Sequence, residues 1–188
     1  MKYIDDLGII SSAPGSYHRD WEWWYVGLSR DGRYVLADSR DSEEYDFTFL
    51  LMDRETKKVL WEKGLYEAEF DEPGDIAISN DGTCFITQDF NLFVVDKKGD
   101  LLFKKMYEET GKRYWDVAVT GDGSRFITFL EGWDTDLDCE VEIYDSKGNV
   151  LWGVKADQGE RSFTVDVSSN GKYFGVYDRT RYPFIEGI

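Results

Sequence analysis

The 188-residue chain has a single histidine, His18, and only two cysteines, Cys84 and Cys139. That scarcity excludes most nucleophilic and metal chemistries. No Ser-His-Asp set or Cys-His pair with a supporting motif can be assembled, and no glycine-rich phosphate cradle precedes a helical pattern. His18 sits in Ser16-Tyr17-His18-Arg19 and reads as a surface or packing residue. The cysteines fall on separate strand patterns without ligand spacing, so both read as buried free thiols. Long apolar runs are also missing, which leaves no stretch able to span a bilayer as a helix. No basic region followed by an apolar stretch marks a secretory signal, so the expected localisation is cytoplasmic. Positive charge is scarce: 22 Lys and Arg stand against 38 Asp and Glu, a formal net charge of −16. Such a chain repels DNA, RNA and anionic lipids and attracts basic proteins. The expected partner is therefore a basic protein, with no direct nucleic-acid or membrane binding.

What the chain does have is repetition. A short apolar strand ends in Ser or Thr, passes a turn and enters a second strand in GLSRDGRYVLA from Gly27, AISNDGTCFIT from Ala77, AVTGDGSRFIT from Ala118 and DVSSNGKYFGV from Asp166. The turn dipeptides are Asp31-Gly32, Asp81-Gly82, Asp122-Gly123 and Asn170-Gly171, residues that tolerate the positive φ of tight hairpins. They recur at intervals of 50, 41 and 48 residues. A period of about 40–50 residues with two hairpins per unit is the mark of a β-propeller or a related array.

A second hairpin follows each of the first three copies: FLLMDRETKKVLW to Trp61, LFVVDKKGDLLF to Phe103 and VEIYDSKGNVLW to Trp152. Each is an apolar strand, an Asp-initiated turn (Asp53, Asp96, Asp145) and a strand closing on an aromatic. Four antiparallel strands, a to d, thus make one unit. A lone sheet of this kind cannot bury both faces, whereas sheets stacked around an axis bury them against one another.

The run from Asp53 to Trp61 resembles the tryptophan-docking motif of quinoprotein-type propellers, although that motif prefers Gly where Lys57 stands. The Ser-x-Asp-Gly turn is similar to those of Trp-Asp-repeat and Tol-type propellers. The resemblance covers about residues 23–177 and implies the fold. The shared residues are packing devices and not cofactor ligands, so no quinone is carried over and no cofactor is expected.

The expected fold is therefore all-β: one β-propeller domain over residues 1–188, with blades at about 23–62, 73–104, 114–153 and 162–177. Hydrophobic content of 41% and aromatic content of 16% suffice for its core. The fourth blade lacks an Asp-x-x-Gly hairpin after Tyr177. The N-terminal segment 2–10, in which Asp5 precedes Gly8 between apolar residues, supplies the expected strands c and d and closes the ring. Two alternatives stay open: a fragment of a longer propeller, or a half-ring completed by a second copy.

Charge placement carries the functional expectation. In a blade, the a–b and c–d turns share one end, and the b–c and d–a connections share the other. The b–c segment Asp38 to Asp46 has net charge −4, the b–c segment Glu131 to Glu140 has −5, and the d–a segment Glu62 to Asp75 has −5. One end of the molecule is thus expected to be an acidic face. Its candidate partner-binding residues are Asp41, Glu43, Glu44, Asp134 and Asp136, together with Trp133, an aromatic without a counterpart in other repeats. Trp24, Trp115 and Phe163 occupy equivalent positions and read as packing between blades.

Asp134, Asp136 and Asp138 alternate as do ligands in a calcium loop, so a calcium site is a candidate there. Cys139 stands where such a loop wants Gly, and Asp145 where it wants a bidentate Glu. The enzymatic alternative is a metal-dependent, lactonase-like hydrolase using axial carboxylates, with Asp75 and Asp116 at equivalent places on strand a. Gly27, Ala77 and Ala118 on the same strands point to a narrow axis.

Overall fold

A computed structural model describes residues 22–40, 47–65, 73–88, 90–132, 139–156, 163–178 and 184–187. The first sheet contains β1 (Glu22–Leu28), β2 (Tyr34–Arg40), β3 (Phe47–Asp53) and β4 (Lys58–Lys63). The second contains β5 (Pro73–Ile78), β6 (Cys84–Gln88), β7 (Asn91–Val95) and β8 (Leu101–Lys105). A single helical turn, α1 (Tyr107–Thr110), leads to the third: β9 (Lys112–Val119), β10 (Arg125–Gly132), β11 (Cys139–Asp145) and β12 (Val150–Ala156). The fourth holds β13 (Phe163–Val167), β14 (Tyr173–Asp178) and β15 (Phe184–Gly187). Among the described residues, neighbours in each sheet follow chain order and pair antiparallel, four strands in three sheets and three in the last.

The recurrent hairpins form for a local reason. The hydroxyls of Ser29, Thr120 and Ser168 donate to the side-chain oxygens of Asp31, Asp122 and Asn170 at 2.7, 2.7 and 2.9 Å. The same oxygens accept the N–H two residues on, at 3.0 Å from Arg33, Ser124 and Lys172. Ser79 and Asp81 repeat the arrangement. Such Asx and Ser/Thr turns are why these residue types punctuate the repeat. In the second hairpins Asp96 accepts from the N–H groups of Lys98 and Asp100, and Asp145 from those of Lys147 and Asn149.

The core lies between sheets. Tyr34, Leu36, Phe49, Leu51 and Trp61 of blade one pack on Ile78, Cys84, Ile86, Phe93 and Val95 of blade two. Phe85, Leu92 and Val94 on the opposite side of blade two meet Val117, Val119, Phe126 and Tyr144 of blade three. Ala118, Ile127, Phe129, Val141 and Ile143 of blade three meet Val165, Val167 and Phe174 of blade four. The aromatic dock of the second hairpins is visible here. A Cβ on Gly99 would lie 3.0 Å from the indole of Trp61, and one on Gly148 would lie 2.9 Å from the Phe103 ring. Only glycine at those turns admits the preceding blade's aromatic.

One expectation needs adjustment. The third strand of blade four is β15, from the C-terminal side, where the pattern places segment 2–10; with no c–d hairpin there, turn chemistry could not reveal it. Segment 2–10 itself lies outside the described residues, as does the proposed closure. At Gly27 a Cβ would meet Ile76 of the next blade at 3.4 Å, so the small residue lets the inner strands pack closely. Cys84 is a buried free thiol, and burial pushes its pKa up.

Candidate functional site

The inner strands run side by side, β1 beside β5, β5 beside β9 and β9 beside β13. At one end their hairpin tips are stitched together. The Asp31 N–H donates to Asn80 Oδ1 at 3.1 Å, the Asn80 N–H to the Gly121 carbonyl at 2.7 Å, and the Gly121 N–H to the Ser169 carbonyl at 3.0 Å. Arg30 reaches across this ring of tips from blade one. Its guanidinium donates to Asp166 at 3.1 Å and to the carbonyls of Val119 and Val167. The repeat pattern alone did not single out Arg30. Its signal was being the one long cation at a position that is Asn80, Gly121 and Ser169 elsewhere.

The two axial carboxyls come together. Asp75 accepts the N–H of Val117 at 3.3 Å, and Asp116 accepts the N–H of Val165 at 2.9 Å. Each therefore ties its blade to the inner strand of the next. Burial, and then the adjoining Asp75 carboxyl, push the pKa of Asp116 up to about 8. A carboxyl that retains its proton at neutral pH can donate to its neighbour, which removes the repulsion of two buried anions. Asp166 points elsewhere, exposed and paired with Arg30. Among the described residues no group of three or more His, Cys, Asp or Glu side chains converges as a metal site.

At the opposite end, the stems of the acidic loops are structured. Asp38 is buried and accepts the N–H of Tyr25. Glu131 accepts the indole N–H of Trp115 at 2.8 Å, and that ring lies edge-on to Phe90 with centroids 5.0 Å apart. Trp115 thus packs between elements, the structural role assigned to it. Lys112 bridges Glu140 and Glu142, and Lys155 lies 3.5 Å from Glu140. Asp38, Glu131 and Glu140 are consequently committed to the scaffold and add less to a free acidic surface than counting suggests. Asp41, Glu43, Glu44, Trp133, Asp134, Asp136 and Asp138 lie outside the described residues. At the turn end, Arg33 pairs with Asp53 at 3.0 Å and with Glu55 at 3.5 Å.

No protein-family model matches the chain, and no curated protein sequence does. Solved structures do. The chain is similar to the β-propeller domain of Cps50 (Swd1) from Myceliophteria thermophila, with a TM-score of 0.57 and 12% identity over 85% of this chain and 49% of that one. A chain of a mitotic checkpoint complex matches with a TM-score of 0.59 and 10% identity over 89% and 50%. The WD40 domain of Toxoplasma gondii coronin matches with a TM-score of 0.53 and 12% identity over 85% and 40%. These likenesses show a β-propeller fold akin to that of WD-repeat domains. The chain spans half or less of the length of these propeller chains.

Proposed function

We propose that this protein is a non-enzymatic β-propeller interaction module whose acidic loop face binds a basic protein partner. The observation that carries the reading is the confinement of −14 of the −16 net charges to three segments. All three follow from the same end of the sheets: the β2–β3 and β10–β11 connections and the β4–β5 link, opposite the hairpin tips. The likeness to a chain of a named multiprotein complex agrees with a binding role. A concentrated negative face accelerates encounter with cationic surfaces and disfavours nucleic acid and anionic lipid. Contacts fall to Asp41, Glu43, Glu44, Asp134 and Asp136, with Trp133 as the aromatic anchor. Cytoplasmic residence belongs to the same reading. Among the described residues, no helix is long and apolar enough to cross a membrane. The docking of Trp61 on Gly99 supports a packing kinship with tryptophan-docking propellers, without a quinone.

The test is capture from native extract at low salt followed by elution in rising salt. Neutralising Glu43, Glu44, Asp134 and Asp136 together is expected to slow association with the captured partner at least about tenfold and to flatten its salt dependence. Unchanged association kinetics would refute the acidic face as the binding surface. The hydrolase alternative has one favourable observation, the raised pKa of Asp116. Metal-dependent esterase or lactonase turnover that survives loop neutralisation but vanishes in Asp116→Asn would establish it instead.

A further inference from the structure

The triplet Phe-Ile-Thr occurs at Phe85-Ile86-Thr87 in β6 and again at Phe126-Ile127-Thr128 in β10, in each case starting three residues after a turn glycine. The two copies face opposite ways. In blade three Phe126 points to the preceding blade and Ile127 to the following one, whereas in blade two Phe85 points to the following blade and Ile86 to the preceding one. The cause is the first hairpin. The N–H groups of Ser29, Thr120 and Ser168 donate to the carbonyls five residues on, at Tyr34, Arg125 and Tyr173, but that of Ser79 donates to Thr83, four residues on. Blade two therefore pairs Ile78 with Cys84, while the other blades pair Leu28, Val119 and Val167 with Val35, Phe126 and Phe174. A slip of one residue in a strand of period two carries every side chain to the other face.

Some contacts hold the slipped pairing and others oppose it. Thr87 does the work of Asp38: its hydroxyl accepts the Asp75 N–H at 2.6 Å, as Asp38 accepts that of Tyr25. The Phe85 ring lies 5.0 Å from that of Phe126. Gly74 makes room, because a Cβ there would collide with the hydroxyl and the carbonyl of Thr87. The positions aligned with Gly74 in the other blades are Trp24, Trp115 and Phe163. Two costs stand against these gains. Gln88 is fully buried, and among the described residues neither atom of its side-chain amide has a hydrogen-bond partner. The link from Gln88 to Asn91 has only two residues, and Phe90 within it is driven to φ 66°, a left-handed conformation that is strained for a bulky residue.

The pairing used by the other blades would remove both costs. Gln88 would stand where Asp38 does, with the Asp75 N–H to accept. The link would become Asp89-Phe90-Asn91, a three-residue hairpin loop whose last position is left-handed and suits Asn. We propose that β6 is a two-register strand, and that a one-residue slip past β5 and β7 carries blade two between the described pairing and that of the other blades. Each register satisfies groups that the other leaves open. The turn that moves lies at the end of the acidic segments. Phe90 packs edge-on to Trp115, whose indole N–H holds Glu131, so the slip repacks the base of segment 131–140. Any effect on a partner rests on the binding role proposed above, but the slip itself does not.

Saturation-transfer methyl NMR on the full chain tests the inference, with Ile86 and Thr87 as reporters and Ile143 and Val165, which face the junction of blades three and four, as controls. The expected result is two exchanging states at the reporters and one at the controls, with contacts between the Phe85 and Phe126 rings in one state only. Gln88→Leu removes the unpaired amide, and with it the acceptor that the other register uses, so it should shift the ratio at least about fivefold towards the described pairing. Gly74→Ala sets a Cβ against Thr87 and should shift the ratio at least about fivefold the other way, since the other register accommodates Trp and Phe at the aligned position. A single state at Ile86 and Thr87, in either register, would overturn the proposal, as would two states whose ratio Gln88→Leu leaves unchanged. If Gly74→Ala fails to fold, the parent and Gln88→Leu decide. None of these outcomes bears on the acidic face, which its own charge substitutions test.

Discussion

Blade two and blade four begin from the same hairpin and end in different environments. Every residue of β6 and β7 is buried, because blade two has a neighbour on each side. In β13 and β14 burial follows one face: Val165, Val167 and Phe174 are buried, while Asp166 and Tyr173 between them are exposed. The sequences record the difference. Asn91-Leu92-Phe93-Val94-Val95 is nearly continuous in apolar residues, and Thr164-Val165-Asp166-Val167 alternates. Continuous apolar strands belong to sheets covered on both faces, and alternating ones to sheets covered on one. A repeat pattern thus specifies a blade, while the chemistry of its second face specifies whether another blade lies against it.

The sharpest way to break this comparison is to cut a side chain on each kind of face. Phe126 is fully buried between blades two and three, stacked on Tyr144 at 4.7 Å between centroids and 5.0 Å from Phe85. Phe126→Ala should cost about 3–5 kcal/mol, since neighbours on both sides prevent the cavity from collapsing. Tyr173→Ala should stay within about 0.5 kcal/mol. Similar losses from the two changes in denaturant melts would show that blade four is covered on its second face.

A smaller effect tests the tie from blade three to blade four. Asp116 holds its proton more tightly in the folded chain than in the unfolded one. Its contribution to stability is therefore complete below pH about 4 and is lost as pH rises towards about 8. Asp116→Asn keeps a neutral donor and acceptor there and should flatten the decline of the melting temperature across that window. The turn carboxylates act in the other direction. Hydrogen bonds from Thr120 and from Ser124 hold Asp122 down to about 2, so its contribution fades only as pH falls below 4. Parallel pH profiles for parent and Asp116→Asn would remove the shared proton from the account.

A further small change concerns the second hairpin of blade one. Lys57 adopts φ 54°, a left-handed conformation that costs a residue with a Cβ about 1 kcal/mol. Lys57→Gly should raise the melting temperature by about 2–4 °C. A drop would mean that the Lys57 side chain makes a stabilising contact of its own.

Much of the architecture was legible in the chain because it rests on local chemistry. A hydroxyl, a carboxylate two residues later and a glycine close each first hairpin by themselves, so their spacing announced the blades. Strand β15 was not legible, since no Asp-x-x-Gly hairpin accompanies it. The candidate acidic face was legible only as a charge count. The count could not show that Glu140 is held by Lys112, nor that Asp38 is buried, because those pairings join residues far apart in the chain. Asp75 and Asp116 were recognisable as equivalent positions, but their use as acceptors for the next blade's N–H groups follows only from inter-sheet distance.

The sequence by itself determined the repeat, its hairpins, the all-β class and the concentration of negative charge, because turn chemistry and strand alternation act over a few residues. Tertiary structure alone decided which faces meet. The same Val-x-Leu or Val-x-Val pattern is buried at Val117 and Val119 and half exposed at Val26 and Leu28, since burial is a property of what lies opposite and not of the strand that carries it.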